Sequence, residues 1–185
     1  YYNTTTGEVT YSAASSSSSN AISNGTTSIS IPTANANIVF TVNGVAFGNI
    51  APATGTNSIS LGANAGYSSQ GLVAVAIGSN SGRYNQSQGA TAVGRRAGES
   101  NQGTYATAIG RYAGEEYSGQ QSVAIGYYAG QTSLGYHSVA IGRYAATDGS
   151  GDYAVAIGDQ AGQGNIGYGA VAMGYEAGYA AAHYS

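Results

Sequence analysis

Ser122-Val123-Ala124-Ile125-Gly126 and, 16 residues on, Ser138-Val139-Ala140-Ile141-Gly142 are the clearest copies of the unit that decides the fold of this chain. Carried in both directions, the signature glycine falls at Gly62, Gly78, Gly94, Gly110, Gly126, Gly142, Gly158 and Gly174, every interval being 16 residues. The register runs without insertion from about Ile59 to Ser185. Self-similarity of this length marks a repeat architecture before any local propensity is weighed.

The columns of the repeat give its geometry. Immediately before each signature glycine stands Leu61, Ile77, Val93, Ile109, Ile125, Ile141, Ile157 or Met173, and three before it stands a β-branched residue in every copy. Between them is Ala, except at Ser60. Large, small, large is the alternation of a strand whose two faces differ. A second glycine recurs four residues after the first, with Ala146 as the exception, and a third column (Gly71, Gly103, Gly119, Gly135, Gly151, Gly167) is broken at Ser87. Glycines at fixed offsets suit turns. Each unit therefore reads as strand, turn, short strand, turn: one coil of an all-β parallel β-roll, or β-solenoid, of eight coils over residues 59–185. Helical solenoids need longer repeats, and leucine-rich repeats need their leucines. At about 4.8 Å per coil the stack is a rod segment on the order of 40 Å long.

Size then suggests which side chains lie inside. The Ile/Val column, the β-branched column and the Ala of the turn (Ala97, Ala113, Ala129 and their equivalents) are expected in the interior. The Ala and Ser positions around the strand are expected to form a small-residue outer face on which chains pack closely, most simply three around an axis. Two aliphatic side chains and an Ala per coil scarcely offset an ordering cost of roughly 1–2 kcal/mol per residue, so a lone roll looks marginal.

Composition narrows the function. Of 185 residues 30 are Gly and 17 Tyr, with 7% charged and a net charge of −3. Leu, Ile, Val and Phe make up roughly 15%, a share low enough to suggest disorder, were the net charge high as well. With no Cys there is neither a disulfide framework nor a thiolate metal site. The basic residues are five arginines, and no concentrated positive field for nucleic acid results. No apolar run is long enough for membrane insertion. A start at Tyr1-Tyr2 points to a processed chain or a piece of a longer one.

Tandem Ser-Val-Ala-Ile-Gly units such as those at 122–126 and 138–142 resemble the head repeats of trimeric autotransporter adhesins, the YadA-like head, and are similar to repeats of phage tail fibres. The resemblance covers about residues 59–185. It implies a trimeric left-handed parallel β-roll in a non-enzymatic structural protein that presents a surface for attachment. Three roles follow: a virion tail-fibre-like segment, a bacterial adhesin head binding a cell-surface glycan or receptor, or a self-polymerising filament. The implied location is extracellular or on a virion surface, and the implied partner is the chain itself, as a homotrimer or a head-to-tail polymer. No cofactor is implied.

Residues 1–20 read as an extended arm and Ser-rich linker, and residues 21–58 as a short β-rich segment. In the arm two extended stretches flank a Thr6-Gly7 turn, and Ser15 to Ser19 is a flexible run. Ser28 to Pro32 and Asn37 to Val45 read as strands, with Asn43-Gly44 a hairpin signal and Asn49 to Asn57 a loop. The arm either caps the roll or, through Tyr2, Val9 and Tyr11, adds a strand to a neighbouring subunit.

Catalytic signals are weak. His137 and His183 sit in no Ser/Asp motif, and His137 shares a column with Tyr105 and Tyr153, which marks a surface ladder. Glu115-Glu116 and Asp148, Asp152 and Asp159 are the carboxylates available for paired acid–base work, and they recur in no column. Phosphate-loop, calcium-roll and ice-binding patterns are absent; Thr91 and Thr107 make no regular Thr ladder. The best functional candidate is aromatic. Tyr112, Tyr128 and Tyr144 occupy one column, flanked by Arg95, Arg111 and Arg143, a strip whose first reading is Tyr and Arg stems covering a thin roll and whose second is recognition and stacking on sugars. Gln131 lies in a turn expected to tolerate change, and Asn3, Asn24 and Asn85 each begin an N-x-[ST] sequon.

Overall fold

The computed structural model describes residues 57–179 throughout and, ahead of them, the backbone of six strands: β1 (Tyr2–Asn3), β2 (Glu8–Val9), β3 (Asn20–Asn24), β4 (Thr27–Ile31), β5 (Ile38–Val42) and β6 (Val45–Ile50). Eight three-residue strands follow: β7 (Ile59–Leu61), β8 (Val75–Ile77), β9 (Thr91–Val93), β10 (Thr107–Ile109), β11 (Val123–Ile125), β12 (Val139–Ile141), β13 (Val155–Ile157) and β14 (Val171–Met173). All eight pair in parallel with the residue one coil on, as in Val123↔Val139, Ala124↔Ala140 and Ile125↔Ile141. This is a parallel β-solenoid of about seven turns, with coils of 16 residues.

The short second strand of each coil shrinks to a single bridging residue, along the series Ser68, Tyr84, Ser100 and then Gln102, Ser118, Leu134, Ser150, Ile166. Ahead of the roll, β3 to β6 form an antiparallel meander whose last strand pairs antiparallel with β7, Gly48 opposite Leu61. That meander covers the edge of the first coil, which would otherwise offer unpaired backbone. Val42 faces Val45 across the Asn43-Gly44 signal, so the expected Asn37–Val45 strand is two strands, and β3 and β6 went unrecognised in the sequence. In the arm, β1 and β2 pair with each other, Tyr2 opposite Val9; Tyr11 lies outside the described residues.

The expected interior is inside out. The middle alanine of each strand, from Ala76 to Ala156, is fully buried, while the Ile and Val on either side are only half-buried or exposed. The core is an alanine core: the strand alanines, the turn alanines Ala97, Ala113, Ala129, Ala145 and Ala161, and Leu134 and Ile166 from the bridging side. A coil this short encloses a cross-section with room for one larger side chain. That place is taken eight residues after the signature glycine, by Gln70, Gln86, Gln102, Ser118, Leu134, Ser150 and Ile166 in turn. Burial favours large apolar residues only where they fit, because interiors are close-packed. The Ile/Val ladders, and not a small-residue face, line the outside of the roll.

Inside the first coils the larger place is polar. Gln86 Nε2 donates to the Val75 carbonyl at 2.8 Å and to Gln102 Oε1 at 3.1 Å, and Gln102 Nε2 donates to the Thr91 carbonyl at 2.7 Å. The buried amides thus satisfy one another and the strand backbone, as buried polar groups must. The same place bears on the second glycine column. Glycine in this column faces the larger side chain, a Cβ on Gly82 coming within 2.6 Å of the Gln86 amide and one on Gly162 within 2.8 Å of Ile166. Ala146 faces Ser150, but Gly114 likewise faces a serine, Ser118, so the facing residue does not account for the alanine.

Candidate functional site

Each strand ends at a signature glycine with φ between +117° and +134°, and the residue two further on is left-handed in every coil, Tyr112, Tyr128 and Tyr144 among them at 62°, 57° and 58°. Because the turn repeats without change, these side chains lie one coil spacing apart, which is close to an aromatic stacking distance. The rings of Tyr112 and Tyr128 stack at 4.5 Å and 14°, and those of Tyr128 and Tyr144 at 5.5 Å and 11°. Tyr127 stands edge-on to both Tyr128 and Tyr144, at 4.4 and 5.5 Å. The predicted aromatic ladder is therefore one continuous stack.

Arginines close its N-terminal end. The guanidinium carbons of Arg95, Arg96 and Arg111 lie 5.6, 5.3 and 4.8 Å from the Tyr112 ring centre, within cation–π range. Arg95 and Arg111 also donate to the Tyr112 hydroxyl, at 3.1 and 3.5 Å. Arg143 lies 5.4 Å over Tyr144 and pairs with Asp159 at 2.8 Å. Arg96 was missed in the sequence, although it occupies the tyrosine column one coil earlier. It is the keystone of the ionic part: it binds Glu99 and, at 3.0 Å, Glu115, while Arg83 reaches Glu99 at 3.5 Å and Gln131 donates to Glu115 at 2.7 Å.

Two expectations change here. Glu99 and Glu115 do recur in a column, 16 residues apart, as buried members of this ion network, and Gln131 is one of its hydrogen-bond donors. Asp152 accepts from the backbone N–H of Tyr136 at 2.8 Å, and His137 stacks on Tyr153 at 5.1 Å. His183 lies outside the described residues. Among the described residues no cluster of His, Asp and Glu is placed to hold a metal ion, and no helix is long and apolar enough to cross a membrane.

The stack limits what the strip can bind. Tyr112 is only 9% exposed, and both faces of Tyr128 are covered by its neighbours. A sugar ring cannot lie on those faces. The strip presents ring edges, hydroxyls and the exposed guanidiniums of Arg95 and Arg111, which form no ion pair among the described residues. Such a surface suits anionic or acceptor-rich partners.

The arginines also hold the Tyr112 phenol below its ordinary pKa, chiefly through the hydrogen bond from Arg111 and then those from Arg96 and the charge of Arg95, whereas desolvation and Tyr127 push Tyr128 up. A pKa lowered by folding contributes stability that is present above the ordinary phenol value and lost as pH falls through the folded value, so at neutral pH this linkage adds nothing. In an alkaline titration followed by phenolate absorbance, Tyr112 should ionise ahead of Tyr128. Tyr112→Phe should remove a component that ionises below the ordinary phenol value; a curve that keeps this component would refute the Arg111–Tyr112 coupling.

The family model for the YadA head domain repeat matches this chain in two copies, over residues 42–65, 118–129 and 133–161. The chain thus carries adhesin-like tandem repeats of the YadA head type, in agreement with the β-solenoid geometry. Searches of curated proteins and of solved structures returned no significant match.

Proposed function

We propose that the chain is the head segment of an extracellular, homotrimeric, non-enzymatic attachment fibre of the adhesin type, three rolls meeting through their Ile/Val ladders. The observation that carries this reading is the pair of outward aliphatic ladders. Ile77 and Ile109 are 38% exposed in the single chain, and their neighbours in the column repeat that surface from coil to coil. Exposed aliphatic side chains repeated in register from coil to coil form the contiguous kind of apolar patch that marks an association face. The match to YadA head repeats favours an adhesin head over a virion fibre, and the Tyr112 stack with Arg95, Arg111 and Arg143 supplies an attachment strip within each chain.

Sedimentation equilibrium of the full chain tests the assembly, and adhesion of protein-coated beads to cell monolayers tests the role. Three chain masses at micromolar concentration and bead retention are expected. A folded monomer would overturn the trimer, and trimers that retain no beads would overturn attachment.

A further inference from the structure

The roll is not uniform along its length. In the bridging turn, Ser69, Asn85 and Asn101 share a left-handed conformation at 59°, 52° and 56°; Tyr117, the next residue in that column, leaves it. The backbone ladder steps at the same point. Asn101 N donates to the Tyr84 carbonyl, but in the next coil the donor is Ser118 N, one place further along, to the Asn101 carbonyl at 3.3 Å. The bridging series likewise jumps from Ser100 to Gln102, and the interior place drops from Gln102 to the smaller Ser118. Two turn conformations cannot stack flush, and the surface opens into a groove of about 380 Å³ at this seam.

The lining of the groove has a definite chemistry. Apart from the phenols of Tyr117 and Tyr136, no lining residue is ionisable. Those two side chains are 40% and 44% exposed, neither ring stacks on another aromatic among the described residues, and their hydroxyls share a hydrogen bond of 3.3 Å. Opposite them, Asn85 Nδ2 donates to Asn101 Oδ1 at 3.1 Å, which leaves an acceptor on Asn85 and a donor on Asn101 at the rim, with the exposed Gln120 beside them. The hydrogen bond with Tyr136, followed by desolvation, raises the pKa of Tyr117, so this phenol stays neutral at physiological pH.

We propose that this groove is a binding site for a neutral oligosaccharide. A pyranose presents an apolar C–H face together with a rim of hydroxyls that both donate and accept. Open tyrosine rings answer the first and carboxamides the second, and a charge-free lining gives no reward to a sialylated or sulfated ligand. The Tyr112 strip, whose ring faces are occupied and whose free groups are cationic, has the opposite preference. The site rests on the attachment reading for its purpose, but it is complete within one chain and separate from that strip.

The test uses the full chain on an array of neutral oligosaccharides (β-1,4-linked N-acetylglucosamine, galactosides, mannosides) with their sialylated and sulfated counterparts. Neutral members should bind. Tyr117→Ala and Tyr136→Ala should each weaken binding about tenfold or more, while Tyr168→Ala, at an exposed ring outside both the groove and the strip, leaves it unchanged. Hydrogen exchange on the unmodified chain gives a readout independent of the variants: a bound neutral glycan should slow exchange at residues 101–104 and 117–120 but not at 127–130. Binding confined to the anionic glycans, loss with Tyr128→Ala alone, or protection centred on 127–130 would overturn the proposal. Failure here leaves the trimer and its bead adhesion standing, so the two readings are separable.

Discussion

Gly142→Ala should lower the melting temperature of the roll by about 10 °C, the largest effect expected of any single methyl group in this chain. The backbone at Gly142 sits at φ +133°, and an added Cβ would lie 2.6 Å from the Gly158 carbonyl carbon and closer still to its oxygen, in the next coil. Neither side can yield, because Gly158 is itself held by its N–H to the Ile141 carbonyl at 2.8 Å. Backbone strain of about 1–3 kcal/mol and a similar overpacking cost give roughly 4 kcal/mol, and in a solenoid the loss falls on a nearest-neighbour interface in the middle of the stack. Gly174→Ala is the internal control. At φ +117° it shares the strain but has no described atom within 4 Å, so its loss should be about half as large. Equal shifts for the two variants in thermal melts monitored by circular dichroism would mean that the close approach of coils is not what excludes a side chain.

Ile125→Asp should separate folding from assembly. The size pattern of the repeat places Ile125 in the roll interior, where a carboxylate would unfold the coil. In the folded chain Ile125 is only half-buried and lies outside the alanine core, so the variant should keep its strand content. What it loses is association. Burying an Ile is worth about 1.5–3 kcal/mol, so three chains forfeit about 6 kcal/mol, or about 10⁴-fold in the trimer association constant, before the cost of desolvating the new charges. Sedimentation should show monomers with near-native circular dichroism. Unfolding without any folded monomer, or an undisturbed trimer, would each refute outward-facing ladders. Ser133→Asp, exposed on a turn, is the silent control. Gln131→Asp is not silent despite its turn position, since it would set a second carboxylate against Glu115 in place of a donor 2.7 Å away.

The tyrosine stack was legible because it depends on translation alone. Once Gly110, Gly126 and Gly142 fix a period of 16, Tyr112, Tyr128 and Tyr144 must superpose at the coil spacing. Arg96 obeys the same rule but was hidden by a change of residue type within its column. The network through Glu99 and Glu115 was hidden by reach, because long side chains join columns that the repeat keeps apart. The groove at Tyr117 and Tyr136 had no sequence signal, since the repeat length stays constant across the seam and only the turn conformation changes.

Period, parallel register, strand positions and the small-large alternation are therefore properties of the linear chain, because in-register stacking of identical units superposes like on like. Which face of the strand lies inside is not such a property. Alternation states that two faces differ and is unchanged when they are exchanged. The choice falls to the closed coil, whose turns leave a lumen wide enough for Ala124 and one larger residue such as Leu134, and so turn Val123 and Ile125 outward against every expectation from size.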